Sequence, residues 1–508
     1  MLNKEIKIGN KTFKFIFKHK PYYEDENTIV MGFPYNMDVE NFNKTQIDKI
    51  KGYYTFIKFY DDYIEIINDI MANYRTYYMQ KDDTTYFSND FLILFNMLTK
   101  EEREPNKFEI EYWDKHRYTT GGETVCTKIH KIKPTHIYKF YPDKIEENLY
   151  FKDLENKPNR KRHFEEVLAD MRDTVSLIKN LPQKKFLLFS GGADSTLCVK
   201  MLQEQNVDFI PVFAKHIPTN SMNYDDTLKV LYSADKLGIE LAEIKINTTK
   251  HIDTEIIDTM FMDRSITQLF FVVVEELKEK YGEDIVLLNG QAADSILGFG
   301  PTEKNIGQFF IRTILNKPFC LLSRLFLMII KIFRPQCRNL KNVKNIKEYF
   351  IAFYDEKFYM PLIDKDKNEK YFNMIKSILN QLCTNFSNKF AKMMYLKIFG
   401  FIQGSDNYVN VQNCEKYGFH SIFMFGTPQI IYSTVQNTDY KYEIYHPKSV
   451  VYKILKDVFH YEMPNIKKKK NYKKEIKQEK TFRQYEQEVY KNFYNKMNTL
   501  EFSEEVKV

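Results

Sequence analysis

Short apolar and aromatic runs, separated by polar turns, dominate residues 1 to about 150 of the chain. Aromatic and β-branched residues favour strands, and polar clusters mark the turns between them. The pattern therefore predicts a sheet-rich N-terminal part. The clearest strands are expected at 53-YYTFIKFY-60, 63-YIEIIND-69, 84-TTYFSND-90 and 137-IYKFYPD-143.

From about residue 160 the pattern changes to strands and helices in alternation. Helical periodicity predicts helices at 164–181, 196–205, 225–238 and 264–282. Short apolar runs predict strands at 186–189, 208–215, 240–247 and 284–290. Strands that alternate with helices form a parallel sheet covered on both faces. The expected fold class is α/β, with a doubly wound parallel sheet following the sheet-rich part.

The length of 508 residues exceeds what one hydrophobic core normally supports, so more than one domain is expected. The change of pattern indicates a sheet-rich domain at 1–155. An α/β domain with a helical C-terminal part is expected at 156–475. A basic and polar tail is expected at 476–508, overlapping the lysine-rich run 467-KKKKNYKKEIKQEK-480.

Two glycine-bearing turns follow predicted strands of the parallel sheet: the first glycine turn, 190-SGGADS-195, and the second glycine turn, 289-NGQAADSILGFG-300. Glycine lets a ligand approach the backbone closely, and free amides at a helix N-terminus bind phosphate. A bare glycine pair is also found in ordinary strand-to-helix turns. Ligands of such sheets bind at the carboxyl ends of the strands, where both turns are expected to lie. Together the turns favour a phosphate site.

The charge and the cysteines narrow the class of ligand. A formal charge of +7 on 508 residues is too mild to indicate nucleic acid, although it suits phosphorylated ligands. The six cysteines are dispersed without a C-x-x-C pair, which favours neither zinc nor disulfides and indicates a reducing compartment. The segment 1-MLNKEIKIGNKTFKF-15 lacks the apolar core of a secretory signal, so a cytoplasmic location is expected.

The most apolar segment, 318-PFCLLSRLFLMIIKIF-333, contains Arg324 and Lys331 and is short for a membrane span. A buried or amphipathic helix is expected there. No membrane span is predicted. Peripheral association with a lipid-linked substrate stays open.

The motifs resemble those of a known family. SGGADS matches the S-G-G-x-D-S signature of the ATP pyrophosphatases, and NGQAADSILGFG resembles the S-G-x-G-A-D-E-x-x-G-G loop of their asparagine synthetase-like branch. The segments 404–431 and 448–472 are similar to that branch's E-x-R-x-P-F-L-D and K-Y-L-L-R…L-P…K-x-x-F regions. Residues 68–90 are similar to the D-R-x-G-x-x-P-L-Y-Y…F-S-S-E stretch of its glutaminase domain. The resemblance implies an Ntn-type glutaminase-like domain followed by an ATP-binding synthetase domain.

The chain departs from the family at informative positions. In glutamine-hydrolysing relatives a cysteine follows the initiator methionine, whereas Leu2 stands here and the nearest cysteine is Cys126. A vestigial glutaminase domain is therefore predicted, as in β-lactam synthetases and lasso peptide cyclases, which the chain resembles. Gln291 and Ser295 stand where asparagine synthetases have glutamates. Their presence disfavours asparagine synthesis and favours a specialised acceptor.

The resemblance also implies roles for individual residues. Asp194 is expected to bind Mg²⁺ or to contact the reacting phosphates, and Asp294 is expected to bind Mg²⁺ or to contact the acceptor. Lys448 is expected near the reacting groups, unless it is a solvated surface lysine. Glu415 is expected as a general base, with a structural ion pair as the equal alternative. The expected nucleotide-binding residues are Ser190, Gly191, Gly192, Asp194, Ser195, Gly290, Asp294 and Lys469. For Lys469, the alternatives are that Lys470 closes over the pyrophosphate instead, or that the lysine-rich run is solvated.

The implied function is that of an AMP-forming ligase that uses ATP and Mg²⁺ to adenylate a carboxylate and join it to ammonia or an amine. The partner is then a small molecule or a peptide. A tRNA-modifying enzyme is a weaker alternative, because no pair of catalytic cysteines and no basic RNA-binding module are evident, so no nucleic acid is expected. The third alternative is a catalytically silent nucleotide-binding protein. Gln291 and Ser295 keep this alternative open.

Overall fold

The computed structural model describes the chain in a series of segments. These are residues 1–40, 44–116, 118–119, 121–217, 221–247, 270–297, 386–399, 406–443, 446, 448–464, 491 and 494–500. The apolar segment 318–333, Lys469 and most of the tail at 476–508 lie outside the described residues. None of the described helices is long and apolar enough to cross a membrane.

The N-terminal part consists of two sheets, as the alternating aromatic runs predict. The first has the strand order β1-β2-β8-β7-β9 and the second the order β11-β10-β6-β5-β4-β3. All pairs are antiparallel except β2 and β8. The strands are β1 (Leu2–Ile8), β2 (Lys11–Phe17), β3 (Tyr23–Glu24), β4 (Thr28–Phe33), β5 (Tyr53–Phe59), β6 (Ile64–Asn68), β7 (Tyr77–Lys81), β8 (Thr84–Ser88), β9 (His130–Lys131), β10 (His136–Phe140) and β11 (Ile145–Leu149).

Two α-helices accompany these sheets, α1 (Phe91–Asn96) and α2 (Lys107–His116). Asp90 begins α1 as its N-cap, because its carboxylate accepts a hydrogen bond from the Leu92 amide. Trp113 of α2 is fully buried in the same apolar cluster as α1. The helices therefore cover one sheet and leave the parallel sheet to be covered by later elements.

The second part is built on a parallel sheet, which confirms the α/β class. The strand order is β14-β13-β12-β15-β16, and every pair is parallel. Its strands are β12 (Lys184–Leu188), β13 (Ile210–Ile217), β14 (Ala242–Asn247), β15 (Ile285–Asn289) and β16 (His420–Phe423). The helices of this part are α3 (Arg160–Asn180), α4 (Ala193–Glu204), α5 (Ser221–Leu237), α6 (Phe270–Tyr281), α7 (Ala293–Ile296), α8 (Lys389–Lys397), α9 (Asp406–Lys416), α10 (Pro428–Asn437), α11 (Tyr440–Glu443) and α12 (Ser449–Asp457).

The two parts share a hydrophobic core and a buried ion pair. One apolar cluster contains both N-terminal residues such as Phe151 and residues of α10 such as Tyr432, whose rings lie 5.3 Å apart. Lys51, only 1% exposed, places its Nζ 2.8 Å from Asp170 and 2.7 Å from Asp173 of α3. A buried charge is tolerated only when it is paired and hydrogen-bonded in this way. These contacts fix the N-terminal sheets against α3 and α10.

Candidate functional site

The two glycine turns lie side by side because their strands are neighbours. Strand β12 pairs with β15 in parallel, with Leu187 opposite Leu288, so both turns leave the same edge of the sheet. Gly290 lies directly against the first turn: a Cβ on Gly290 would stand 3.2 Å from the Cβ of Asp194. The predicted meeting of the two turns at the carboxyl edge is therefore observed.

The first glycine turn presents its amides and hydroxyls at the start of α4. Gly191 has a φ of +64°, and a Cβ there would lie 3.0 Å from the Lys229 carbonyl oxygen, so the position needs glycine. Gly192 is the N-cap of α4 and has no side chain to satisfy the first amides. The hydroxyl of Ser195 lies 3.2 Å from that of Ser190 and donates to the Gly192 carbonyl at 3.2 Å. Free amides and paired hydroxyls form the cradle that phosphate requires.

The second glycine turn is held by one hydrogen bond within the turn and by one from α8. The Asn289 side chain accepts a hydrogen bond from the Gln291 amide at 3.1 Å. Ala292 adopts a left-handed conformation, with a φ of 68°, immediately before α7. Lys397 of α8 donates from Nζ to the Ser295 carbonyl at 2.8 Å. The turn therefore presents Asp294 at a defined place in front of the first turn.

Lys448 joins the two turns through an ion-pair cluster with Asp194 and Asp294. Its Nζ lies 2.6 Å from Asp194 Oδ2 and also contacts Asp294 Oδ1. Lys448 is only 7% exposed, so it is not a solvated surface lysine. Burial alone would lower the pKa of Lys448, but the two carboxylates outweigh it and raise that pKa. The ammonium group is therefore charged at neutral pH.

Asp194 has one buried carboxylate oxygen that is suited to a bound cation. Burial raises the pKa of Asp194, while Lys448 acts against the shift. Its second oxygen, Oδ1, is buried and has no hydrogen-bond partner among the described residues. A buried acceptor without a partner is costly. A ligand at this position would satisfy it.

The donor set suits Mg²⁺ bound together with a nucleotide. Within the described ranges no cluster of three or more His, Cys, Asp or Glu side chains is present to hold a metal. Mg²⁺ is usually held by one or two carboxylates and by substrate phosphates, and not by a cage made of protein groups alone. Asp194 and Asp294 fit that arrangement.

Lys229 is a further residue of the site that the sequence interpretation missed. It lies on α5, its carbonyl oxygen would lie 3.0 Å from a Cβ on Gly191, and its Nζ is 3.8 Å from where a Cβ on Gly192 would stand. Its charge acts to lower the pKa of Asp194. No motif marks this lysine. Its helical position facing the first turn becomes evident only when α5 is placed against β13.

We expect Lys229→Met to weaken ATP binding about tenfold with little effect on stability. The side chain is half-buried beside the phosphate cradle, and loss of one charge-assisted contact costs about 1.5 kcal/mol or more. Isothermal titration with ATP and Mg²⁺ measures the change. Lys236→Met, on the same helix but exposed, is the matched control. Equal affinity of the two variants would contradict this role for Lys229.

Glu415 lies away from this cluster, at the opposite edge of the parallel sheet. It ends α9 before β16, whereas the glycine turns follow the opposite, carboxyl ends of the strands. Its carboxylate accepts a hydrogen bond of 2.5 Å from the Tyr53 hydroxyl. The same hydroxyl lies 3.2 Å from His420 Nδ1. Glu415 therefore connects α9 to the N-terminal sheet, which agrees with the structural alternative.

Comparison with known proteins gives a family match over the region that contains both glycine turns. Residues 186–326 match the asparagine synthase family. Similar solved structures include NMN synthetase from Francisella tularensis, with 15% identity over 28% of this chain and 60% of that chain and a TM-score of 0.19. They also include the NH3-dependent NAD synthetase from Campylobacter jejuni in complex with the nitrate ion. The identity is 15% over 40% of this chain and 99% of that chain, and the TM-score is 0.18. No curated protein matches the chain.

Proposed function

Because residues 186–326 match the asparagine synthase family, we propose that the chain is an ATP-dependent, AMP-forming carbon–nitrogen ligase. It adenylates a carboxylate and joins the acyl group to ammonia or an amine. The observation that carries the proposal is the meeting of two glycine turns with the Asp194–Lys448–Asp294 cluster. A phosphate cradle next to paired carboxylates and an ammonium group is suited to ATP.

The chemistry explains why such a site is needed. An amine cannot displace oxide from a carboxylate, so a carboxylate oxygen first attacks the α-phosphorus of ATP and the bond to the β-phosphate oxygen breaks. Pyrophosphate leaves with that electron pair. The amine then attacks the acyl carbon and loses a proton, and AMP leaves with the electrons of the carbon–oxygen bond.

The residues of the site have separate parts in the first step. The amides after Gly192, with Ser190 and Ser195, hold the pyrophosphate oxygens. Lys448 and Lys229 balance the negative charge of the leaving group. Asp194 and Asp294 would hold Mg²⁺, which neutralises phosphate charge when bound.

We further propose the domain limits 1–155, 156–475 and 476–508, with the first as a glutaminase-like scaffold that lacks glutaminase activity. The described cysteines support this proposal. Cys126, Cys198 and Cys414 are buried, and burial raises the pKa of each thiol. A nucleophilic cysteine needs a lowered pKa and access to its substrate. None of these three meets that requirement.

The adenylated substrate is proposed to be a carboxylate other than free aspartate, and the acceptor a specialised amine or ammonia. Gln291 and Ser295 lack the carboxylates that would bind an ammonium group at the second turn. The Ser295 carbonyl is also engaged by Lys397. A small molecule or a peptide with a free carboxylate is the expected donor substrate.

The test is to incubate the protein with [α-³²P]ATP, Mg²⁺, ammonium and fractionated metabolite extracts. We expect AMP and pyrophosphate in at least one fraction. Release of ADP would contradict the proposed cleavage of ATP. Binding of ATP without turnover in every fraction would instead favour a silent nucleotide-binding protein.

We also expect glutamine to give no glutamate, with or without ATP, since no described thiol is activated. Glutamate dehydrogenase measures the product directly. As a control, the same preparation is given ammonium and an extract fraction in which it releases AMP. Release of AMP there shows that the protein is active. Glutamate release from glutamine would contradict a glutaminase-free scaffold.

A further inference from the structure

The backbone of Lys448 is held in an unusual conformation. Its φ is 58°, in the left-handed region that a lysine rarely adopts. Its carbonyl accepts hydrogen bonds from the Val451 amide at 3.0 Å and the Tyr452 amide at 3.3 Å, which begin α12. A strained residue of this kind persists only where its surroundings fix it, and such residues cluster at functional sites.

Glu443 of α11 provides that support through Ser449, the residue after Lys448. It is 3% exposed, and its Oε2 accepts a hydrogen bond of 3.1 Å from the Ser449 amide. Its Oε1 accepts a second bond from the Ser449 hydroxyl. Lys448 is the N-cap of α12 but makes no side-chain cap bond, because an ammonium group cannot accept a hydrogen bond from a helix amide. Glu443 therefore caps α12 in its place.

We propose, on the basis of the ligase function above, that Glu443 is a positioning residue that acts through Ser449 to hold Lys448 against Asp194 and Asp294. The four hydrophobic residues of α12 that face the core fix the helix but not the turn before it. These are Val450, Val451, Ile454 and Leu455. Within the described residues, the two bonds to Ser449 connect the start of α12 to the buried carboxylate of Glu443, so loss of that carboxylate releases Lys448.

The surroundings of Glu443 make this support depend on pH. It borders a cavity of about 470 Å³. Burial raises the pKa of Glu443 to about 7, the bonds from Ser449 and the charge of Arg160 oppose the shift, and Asp439 adds to it. The other titratable groups that line the cavity are His163, Tyr442, His446, Tyr452, Lys453, Lys456 and Asp457. Below about pH 7 a protonated Glu443 loses one acceptor position, so support for Lys448 weakens as the pH falls.

The first test measures Lys448 directly and needs no enzymatic activity. The full chain is labelled briefly with acetic anhydride at pH 8, and the modified lysines are quantified by mass spectrometry. In Glu443→Gln we expect Lys448 to be labelled at least about fivefold faster than in the wild type, as a loss of order 1 kcal/mol predicts. Lys51, also buried and ion-paired, is the internal standard. Unchanged labelling of Lys448 would overturn the proposal.

Two further variants keep this test specific. Glu147→Gln also removes a carboxylate that accepts bonds from two side chains, Lys133 and Tyr138, but it lies in the N-terminal sheet. It should leave Lys448 labelling unchanged. Ser449→Ala removes one of the two bonds to Glu443 and should increase labelling by a smaller factor. If Glu443→Gln does not fold, Ser449→Ala decides the outcome.

The second test compares AMP release in a double-mutant cycle. Glu443→Gln should lower kcat about tenfold when Lys448 is present and have no further effect in Lys448→Met, because a residue that acts through another has no effect without it. The loss of rate below about pH 7 should also disappear in Glu443→Gln. Equal losses in both backgrounds would indicate a merely structural role. If the wild type releases no AMP, the ligase function fails while the labelling test still decides the role of Glu443.

Discussion

Asp194→Asn is expected to lower the rate of AMP release by at least about 100-fold at saturating ATP, which is the usual cost of removing one preorganised group from a transition state. The substitution keeps the size of the side chain but removes its charge. It breaks the ion pair of 2.6 Å with Lys448 and removes a proposed Mg²⁺ ligand. Thin-layer separation of [α-³²P]AMP measures the effect.

The control for this prediction is Asp235→Asn, the same chemical change on the exposed face of α5. It should retain the wild-type rate. Thermal unfolding of both variants separates a catalytic loss from a loss of folded protein. AMP release by Asp194→Asn within a factor of a few of the control would remove Asp194 from the reaction.

Lys448→Met is expected to reduce AMP release by a similar factor, about 100-fold or more, and to destabilise the protein in a pH-dependent manner. Methionine retains most of the volume but leaves Asp194 buried without its cation. Burial already raises the pKa of Asp194, and Lys448 is the main opposing influence. Without Lys448 that pKa rises further, and the buried carboxylate is protonated at higher pH.

The sign of the pH effect follows from the raised pKa of Asp194. A carboxyl group whose pKa is higher in the folded than in the unfolded state favours folding at low pH, and this contribution is lost as the pH rises through the folded pKa. Lys448→Met should therefore lose more thermal stability at pH 8 than at pH 5, measured by calorimetry without Mg²⁺. Adding Asp194→Asn should restore stability at pH 8 but not activity. Equal stability losses at both pH values would contradict the buried pair.

Much of the parallel sheet could be predicted because buried strands that end in glycine turns leave a local pattern. The strand expected at 284–290 is observed at Ile285–Asn289, and the helix expected at 164–181 at Arg160–Asn180. The helix expected from residue 196 begins earlier, at Ala193, because Gly192 serves as its N-cap. This shift places Asp194 in the first turn of the helix.

Other features of the site depend on contacts between distant parts of the chain, which local patterns do not encode. Lys229 joins the cradle because α5 lies against the first turn. Strand β16 has only four residues, which is too short an apolar run to predict a strand from the sequence. The edge of the parallel sheet on which Glu415 lies could therefore not be assigned. The left-handed conformation of Lys448 is likewise unexpected for a lysine, and it depends on Glu443.

The shared core and the buried Lys51 have a consequence for motion. Hinge opening between the two parts would expose Lys51, separate it from Asp170 and uncover the contact between Phe151 and Tyr432. Exposing this apolar contact to water is unfavourable. We therefore expect the N-terminal sheets and the parallel sheet to move together as one rigid body. In the proposed ligase, substrates and products would then be exchanged by local rearrangement at the carboxyl edge of the parallel sheet.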